Sequence, residues 1–335
     1  MRPALSPSLA GLLAGALAAL VVRAEPRYAA EPRPVAYWAA DRSGDRLFGL
    51  DRDLLPVREI EVRAPLEVEA APGGGAWVLS AAEGSPRGAH RLRRILSDGT
   101  CEADVRLGPA FGLTGASGGA MVVIERGRGA SDRVLRVGRD GRTRLLAELP
   151  GLGAASARHG LLLLGSVGGE VWLFRDRSAD GPIAHRAFGG PIETLAPGAR
   201  AGTWWVLAAG ELVQLGHDLS PTWRRGVPAA EALAPDPASG GVWLTLAGEG
   251  GVQRYGSAGE LELHALELPL RSLSGGLGRP DGSILFVTPG AILHLDARAR
   301  LAPGQGGFDF LIDLAAAGDQ ASPFMDRGRG GPFEF

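Results

Sequence analysis

A unit of about 40 residues recurs along this chain, and a period of that length limits the possible folds more than any other feature. Seven short segments share it: Val35–Ala40 (VAYWAA), Gly75–Leu79 (GAWVL), Gly119–Ile124 (GAMVVI), Gly160–Gly165 (GLLLLG), Gly202–Leu207 (GTWWVL), Gly240–Leu246 (GGVWLTL) and Gly282–Thr288 (GSILFVT). Aligning Trp38, Trp77, Met121, Leu162, Trp204, Trp243 and Leu285 gives steps of 39, 44, 41, 42, 39 and 42 residues. Polar turns keep pace with these segments, among them Ser97-Asp98-Gly99-Thr100, Arg139-Asp140-Gly141-Arg142 and Ser257-Ala258-Gly259-Glu260. Two features with one period and a constant offset mark a stack of similar units.

The units are made of strands. Helical repeats of this length space their apolar residues three and four apart and use few glycines. Here 52 of 335 residues are glycine, and the apolar residues fall in short runs such as Leu161–Leu164. Such runs suit strands buried on both faces between stacked sheets, and the Asp-Gly steps supply the positive backbone angles of tight hairpins. The expectation is an all-β, seven-bladed β-propeller of four-stranded antiparallel blades, with six blades as the alternative count. The first blade lacks an evident innermost strand, so closure is expected to recruit either Arg27–Arg33 or Phe308–Leu314 (FDFLIDL).

At the N-terminus, Arg2 precedes an apolar run from Leu9 to Val22, shorter than the roughly 20 residues a membrane span needs. Small residues at Val22 and Ala24 complete the pattern of an export signal covering 1–24, leaving a propeller over 25–314 and a Gly/Arg-rich tail over 315–335. A secreted or periplasmic protein is expected, with no membrane span once the signal is cleaved. Its one cysteine, Cys101, has no partner within the chain for a disulfide. A net charge of −2 argues against binding driven by the charge of nucleic acid. Every one of the 35 basic residues is Arg, and Asn is absent as well as Lys. Lysine-based catalysis and N-glycosylation are thereby excluded.

Two segments carry a family resemblance. Tyr37-Trp38-Ala39-Ala40-Asp41, followed by Arg46-Leu47-Phe48-Gly49-Leu50-Asp51, resembles a YWTD-type propeller repeat. Asp132-Arg133-Val134-Leu135-Arg136-Val137, leading to Asp140-Gly141, is similar to the NHL repeat. The broader group includes the gluconolactonase-like and streptogramin-lyase-like propellers. Resemblance to the gluconolactonase-like propellers implies a cation held by Glu, Asp and two Asn, a set this chain cannot assemble because it has no Asn. Resemblance to the streptogramin-lyase-like propellers implies a histidine near magnesium. The histidines here are His90, His159, His185, His217, His264 and His294, spread over different blade positions without metal-ligand spacing, and each reads as structural.

Propellers of this kind use the loops between second and third strands, so the candidate ligand-binding residues are Asp41, Arg42, Glu83, Arg87, Glu125, Arg126 and Glu249. No cofactor is expected. Were calcium or magnesium to bind, Asp41, Glu83, Glu125 and Glu249 would be the ring that holds it. Gly115-Ala116-Ser117-Gly118-Gly119 satisfies G-x-S-x-G, but it leads into a strand, where a nucleophile elbow leads into a helix. Trp38, Trp77, Trp204, Trp205 and Trp243 sit at repeat-locked positions and read as packing between blades, with Trp205 the best candidate for exposure. The expected role is a binding or interaction module for a protein, peptide or glycan. The alternative is a propeller enzyme with a divalent-cation site made of loop carboxylates.

Overall fold

A computed structural model describes residues 33–317 except 83–87, 128, 229, 247–250, 266–274, 289, 307 and 309–310. The expected signal and all of the candidate segment Arg27–Arg33 except Arg33 lie outside the described residues, as does 318–335. Seven four-stranded antiparallel sheets form the molecule. Blades 2 to 7 each use four consecutive strands, starting from inner strands Pro65–Ala71, Ala110–Ala116, Leu152–Arg158, Ile192–Pro197, Ala230–Pro235 and Gly275–Gly278. Blade 1 is built from both ends of the fold: Leu311–Ala316 pairs with Tyr37–Asp41, followed by Arg46–Leu50 and Pro56–Glu61. Closure therefore recruits the second of the two expected segments. Its strand continues to Ala316, and the Ala317 N–H donates to the Ala36 carbonyl at 2.7 Å, so the sheet outruns the expected boundary at Leu314.

Turn chemistry sets the hairpins. In blade 2, Gly99 takes φ +92° and Asp98 accepts the Thr100 N–H at 2.8 Å. In blade 3, Gly141 takes φ +77° and Asp140 accepts the Arg142 N–H at 3.1 Å. Glycine meets the left-handed angle without a Cβ clash, and the aspartate satisfies the turn N–H.

The core is divided into seven apolar clusters, one at each junction between neighbouring blades. Trp38, Trp77, Trp205 and Trp243 each face the following blade: Trp77 packs with Met121 and Val123, and Trp243 with Ile284 and Phe286. Met121, Leu162 and Trp204 face the preceding blade instead. Aligned on the face toward the following blade, the equivalents are Val122 in blade 3 and Trp205 in blade 5. A one-residue slip in a strand turns the side chain to the other face. Trp205 is fully buried, contrary to expectation, because the neighbouring blade covers that face as well. The half-buried tryptophan is Trp223, on an outer strand against Trp205 and Tyr255.

Candidate functional site: the central channel

The seven inner strands touch their neighbours all the way round a central channel. The channel forms a cavity of about 1600 Å³, lined by the C-terminal halves of these strands and by the turns that leave them. It opens on the face carrying the first-to-second and third-to-fourth turns, with Pro72, His159, Gly198, Pro237, Arg139 and Arg177 at its rim. The second-to-third loops, where the sequence places its candidates, lie on the opposite face.

On that opposite face the described candidates are held by their own surroundings. Asp41 is fully buried, accepting the Gly44 N–H at 3.2 Å and pairing with Arg46 at 3.3 Å. Glu125 accepts the Gly108 N–H and pairs with Arg133 at 2.7 Å. Arg126 pairs with Asp132 at 2.9 Å and stacks on Phe111 with its guanidinium 4.1 Å from the ring centre. Arg42 is exposed. Glu83, Arg87 and Glu249 lie outside the described residues. Asp41 and Glu125 end the second strands of blades 1 and 3; Asp41 closes its own hairpin through Gly44, while Glu125 binds Gly108 in the link from blade 2.

Of five carboxylates that sequence reasoning passed over and that line the channel, three share one side of it: Glu67 and Glu69 from blade 2 and Asp313 from blade 1. Glu67 and Asp313 hold equivalent places, each two residues ahead of the residue paired with its blade's Trp. Each grips the next inner strand by its backbone. Asp313 accepts the Val68 N–H at 2.8 Å, and Glu67 accepts the N–H groups of Gly112 and Leu113 at 2.9 and 2.7 Å. Thr114 repeats the device one blade on, accepting the Ala157 N–H at 2.9 Å. Glu69 projects toward Gly115, where a Cβ would lie 3.8 Å from its Oε1.

Depth below the mouth withdraws these groups from bulk water, although each residue keeps some surface open to the channel. Burial first, then Asp313, pushes Glu69 up to about 8. Burial first, then Glu67, pushes Asp313 up to about 7, against the pull of its backbone N–H bonds. Across the channel, burial lowers Arg158, which donates to the Gly198 carbonyl. The inner strands of blades 5 to 7 present a mostly small or apolar wall, with Leu195, Ala232, Leu233, Gly276 and Leu277, while Asp176 and Asp236 line the cavity bound to Ser117 and Arg254. A sequence signal for the acidic wall existed in Pro65-Leu66-Glu67-Val68-Glu69, where acids alternate with apolar residues in an innermost strand.

Ser117 lies in the turn between the first and second strands of blade 3, where its N–H and hydroxyl both donate to Asp176, at 2.6 and 2.7 Å. Arg177 donates to the same hydroxyl at 2.6 Å. The G-x-S-x-G match is thus a hairpin turn tied to the next blade. Among the described residues, no group of three His, Cys, Asp or Glu side chains converges to hold a metal ion. No helix there is long and apolar enough to cross a membrane.

With this geometry established, similarity to known proteins extends to the fold. BamB from Moraxella catarrhalis superposes with a TM-score of 0.57 at 14% identity, over 90% of this chain and 94% of that one. A functionally unknown protein from Desulfotomaculum acetoxidans gives 0.64 at 10% identity, over 85% and 99%. Streptogramin B lyase gives 0.55 at 11% identity, over 72% and 82%. No protein-family model matches the chain, and neither does any curated protein. The YWTD- and NHL-type resemblance accordingly rests on its motif residues, while the propeller itself is shared with solved structures.

Proposed function

We propose that this chain is a binding propeller of the exported compartment that receives a segment of a partner protein or peptide in its central channel. The observation that carries this reading is the cavity of about 1600 Å³ walled by inner strands of all seven blades. Pockets for small ligands occupy about 300–1,000 Å³, so this one has room for a polypeptide segment. Its walls are backbone-paired strands, which hold their shape without a partner and so reduce the ordering cost of binding. The apolar run from Leu9 to Val22, with Val22 and Ala24 after it, supports export.

Gly115 offers a direct test, because a side chain there meets only Glu69 within 4 Å and enters the channel. Random dodecapeptides displayed on phage are selected on the wild-type protein, and their affinities are then measured on Gly115→Trp and on Arg42→Glu at the opposite face. Binders should weaken at least about ten-fold on the plugged variant and hold on the other, as expected when a well-packed anchor loses its pocket. Binders indifferent to Gly115→Trp, or lost on Arg42→Glu, overturn the reading.

A further inference from the structure

We infer that Glu67, Glu69 and Asp313 form a subsite of the channel for the cationic side chain, lysine or arginine, of a bound polypeptide segment. This rests on the channel being the binding site, and adds the chemistry that selects the occupant.

The first argument is a contrast within the molecule. Five of the six buried carboxylates elsewhere among the described residues are matched by arginine, Asp41 with Arg46, Asp51 with Arg33, Glu125 with Arg133, Asp132 with Arg126 and Asp236 with Arg254, and the sixth, Asp176, is held by the N–H and hydroxyl of Ser117. Arginine is plentiful, and Arg139, Arg158 and Arg177 line the same cavity from blades 3 and 4. Yet among the described residues no cation pairs with Glu67, Glu69 or Asp313, and the charges that act on Glu69 are the other two carboxylates. Three acids crowded on adjacent strands without a counter-charge disfavour one another's ionisation. A cation arriving from outside the chain removes that penalty.

The second argument concerns geometry. Glu67 and Asp313 already spend oxygen lone pairs on backbone N–H groups, which fixes their orientation, while among the described residues Glu69 makes no such bond to a neighbouring strand. A carboxylate has about four acceptor sites, so each retains capacity for a further donor. The three do not converge on one point as metal ligands must. An ammonium with three donors, or a guanidinium with five, can reach separated oxygens. Gly115 brings no side chain of its own opposite Glu69, and a Cβ there would meet only the Glu69 Oε1 at 3.8 Å, which leaves room for the stem of a long side chain. Arg158 and Arg177 of blade 4 suit carboxylates or backbone carbonyls of the same segment, which would lie across the channel with its basic residue toward blades 1 and 2.

The test uses the same peptide library, selected on the full chain, with Glu69→Gln and Asp313→Asn as shape-conserving variants whose folding is checked by circular dichroism. Channel-dependent binders, defined by their loss on Gly115→Trp, should be enriched in Lys or Arg. Replacing that residue by norleucine, or testing Glu69→Gln, should weaken binding about ten-fold or more, the scale of a hydrogen bond to a charged group. Combining both changes should cost little beyond either alone, because they remove one interaction. Channel-dependent binders that are neutral or acidic, or that are indifferent to Glu69→Gln and Asp313→Asn, overturn the inference while leaving the channel reading intact. Binders unaffected by Gly115→Trp, or a library yielding none, overturn both.

Discussion

Glu69 and Asp313 give the fold a pH dependence whose sign can be worked out. Both are raised in the folded chain, Glu69 to about 8 and Asp313 to about 7, from 4.5 and 3.8. Below the lower values the groups are protonated in both folded and unfolded chains and cost nothing. As pH rises, the unfolded chain releases these protons first, and stability falls until the folded values are passed. Glu69→Gln should therefore melt level with wild type near pH 4.5 and several degrees above it at pH 8.5, read by thermal denaturation. An unchanged difference across that range would show the carboxyl ionising freely in the channel. These two residues also mark the limit of sequence reading. Charge in a surface loop is conspicuous, so Asp41 and Glu125 stand out, although each is held by a nearby backbone N–H and an arginine. Glu67, Glu69 and Asp313 sit inside apolar strands, and only closure of the ring brings blades 1 and 2 side by side.

At the level of strands, the repeat was legible because every blade needs the same turns and the same apolar second strand. Face was harder to read than position. Consecutive Trp204 and Trp205 point into different junctions, one toward blade 4 and the other toward blade 6, and both are buried. Alternation along a strand identifies opposite sides but does not show that both are covered. The junctions also rank the tryptophans by energetic weight. Trp77 is fully buried between blades 2 and 3, so Trp77→Ala should cost about 3–5 kcal/mol in urea denaturation. Trp223 shares its ring contacts with Trp205 and Tyr255 at 5.8 and 5.7 Å but keeps part of its surface in water. Trp223→Ala should cost about 1–2 kcal/mol. Equal losses at the two sites would contradict the assignment of the wedge core to the second strands.

For the molecule as a whole, the decisive element is the strand Leu311–Ala316, which the sequence offered as one of two options for closure. Leu311 and Leu314 join Phe48, Leu285 and Ile292 in the cluster between blades 7 and 1, and Asp313 bonds to blade 2, so this strand ties three blades together. A chain ended before Leu311 should lose its single cooperative transition and associate through the exposed edge of Tyr37–Asp41, seen by size exclusion and urea unfolding. A monomer with an unaltered midpoint would show that the ring holds without its clasp. The direction of that clasp has a mechanical consequence. Tyr37, where one strand begins, lies opposite Ala316, where the other ends. Tension applied to those two points would load the rungs between the strands singly, as a zip fastener is drawn, instead of sharing the force along their length. The molecule would then part under pulling at this seam, however well its sheets withstand heat.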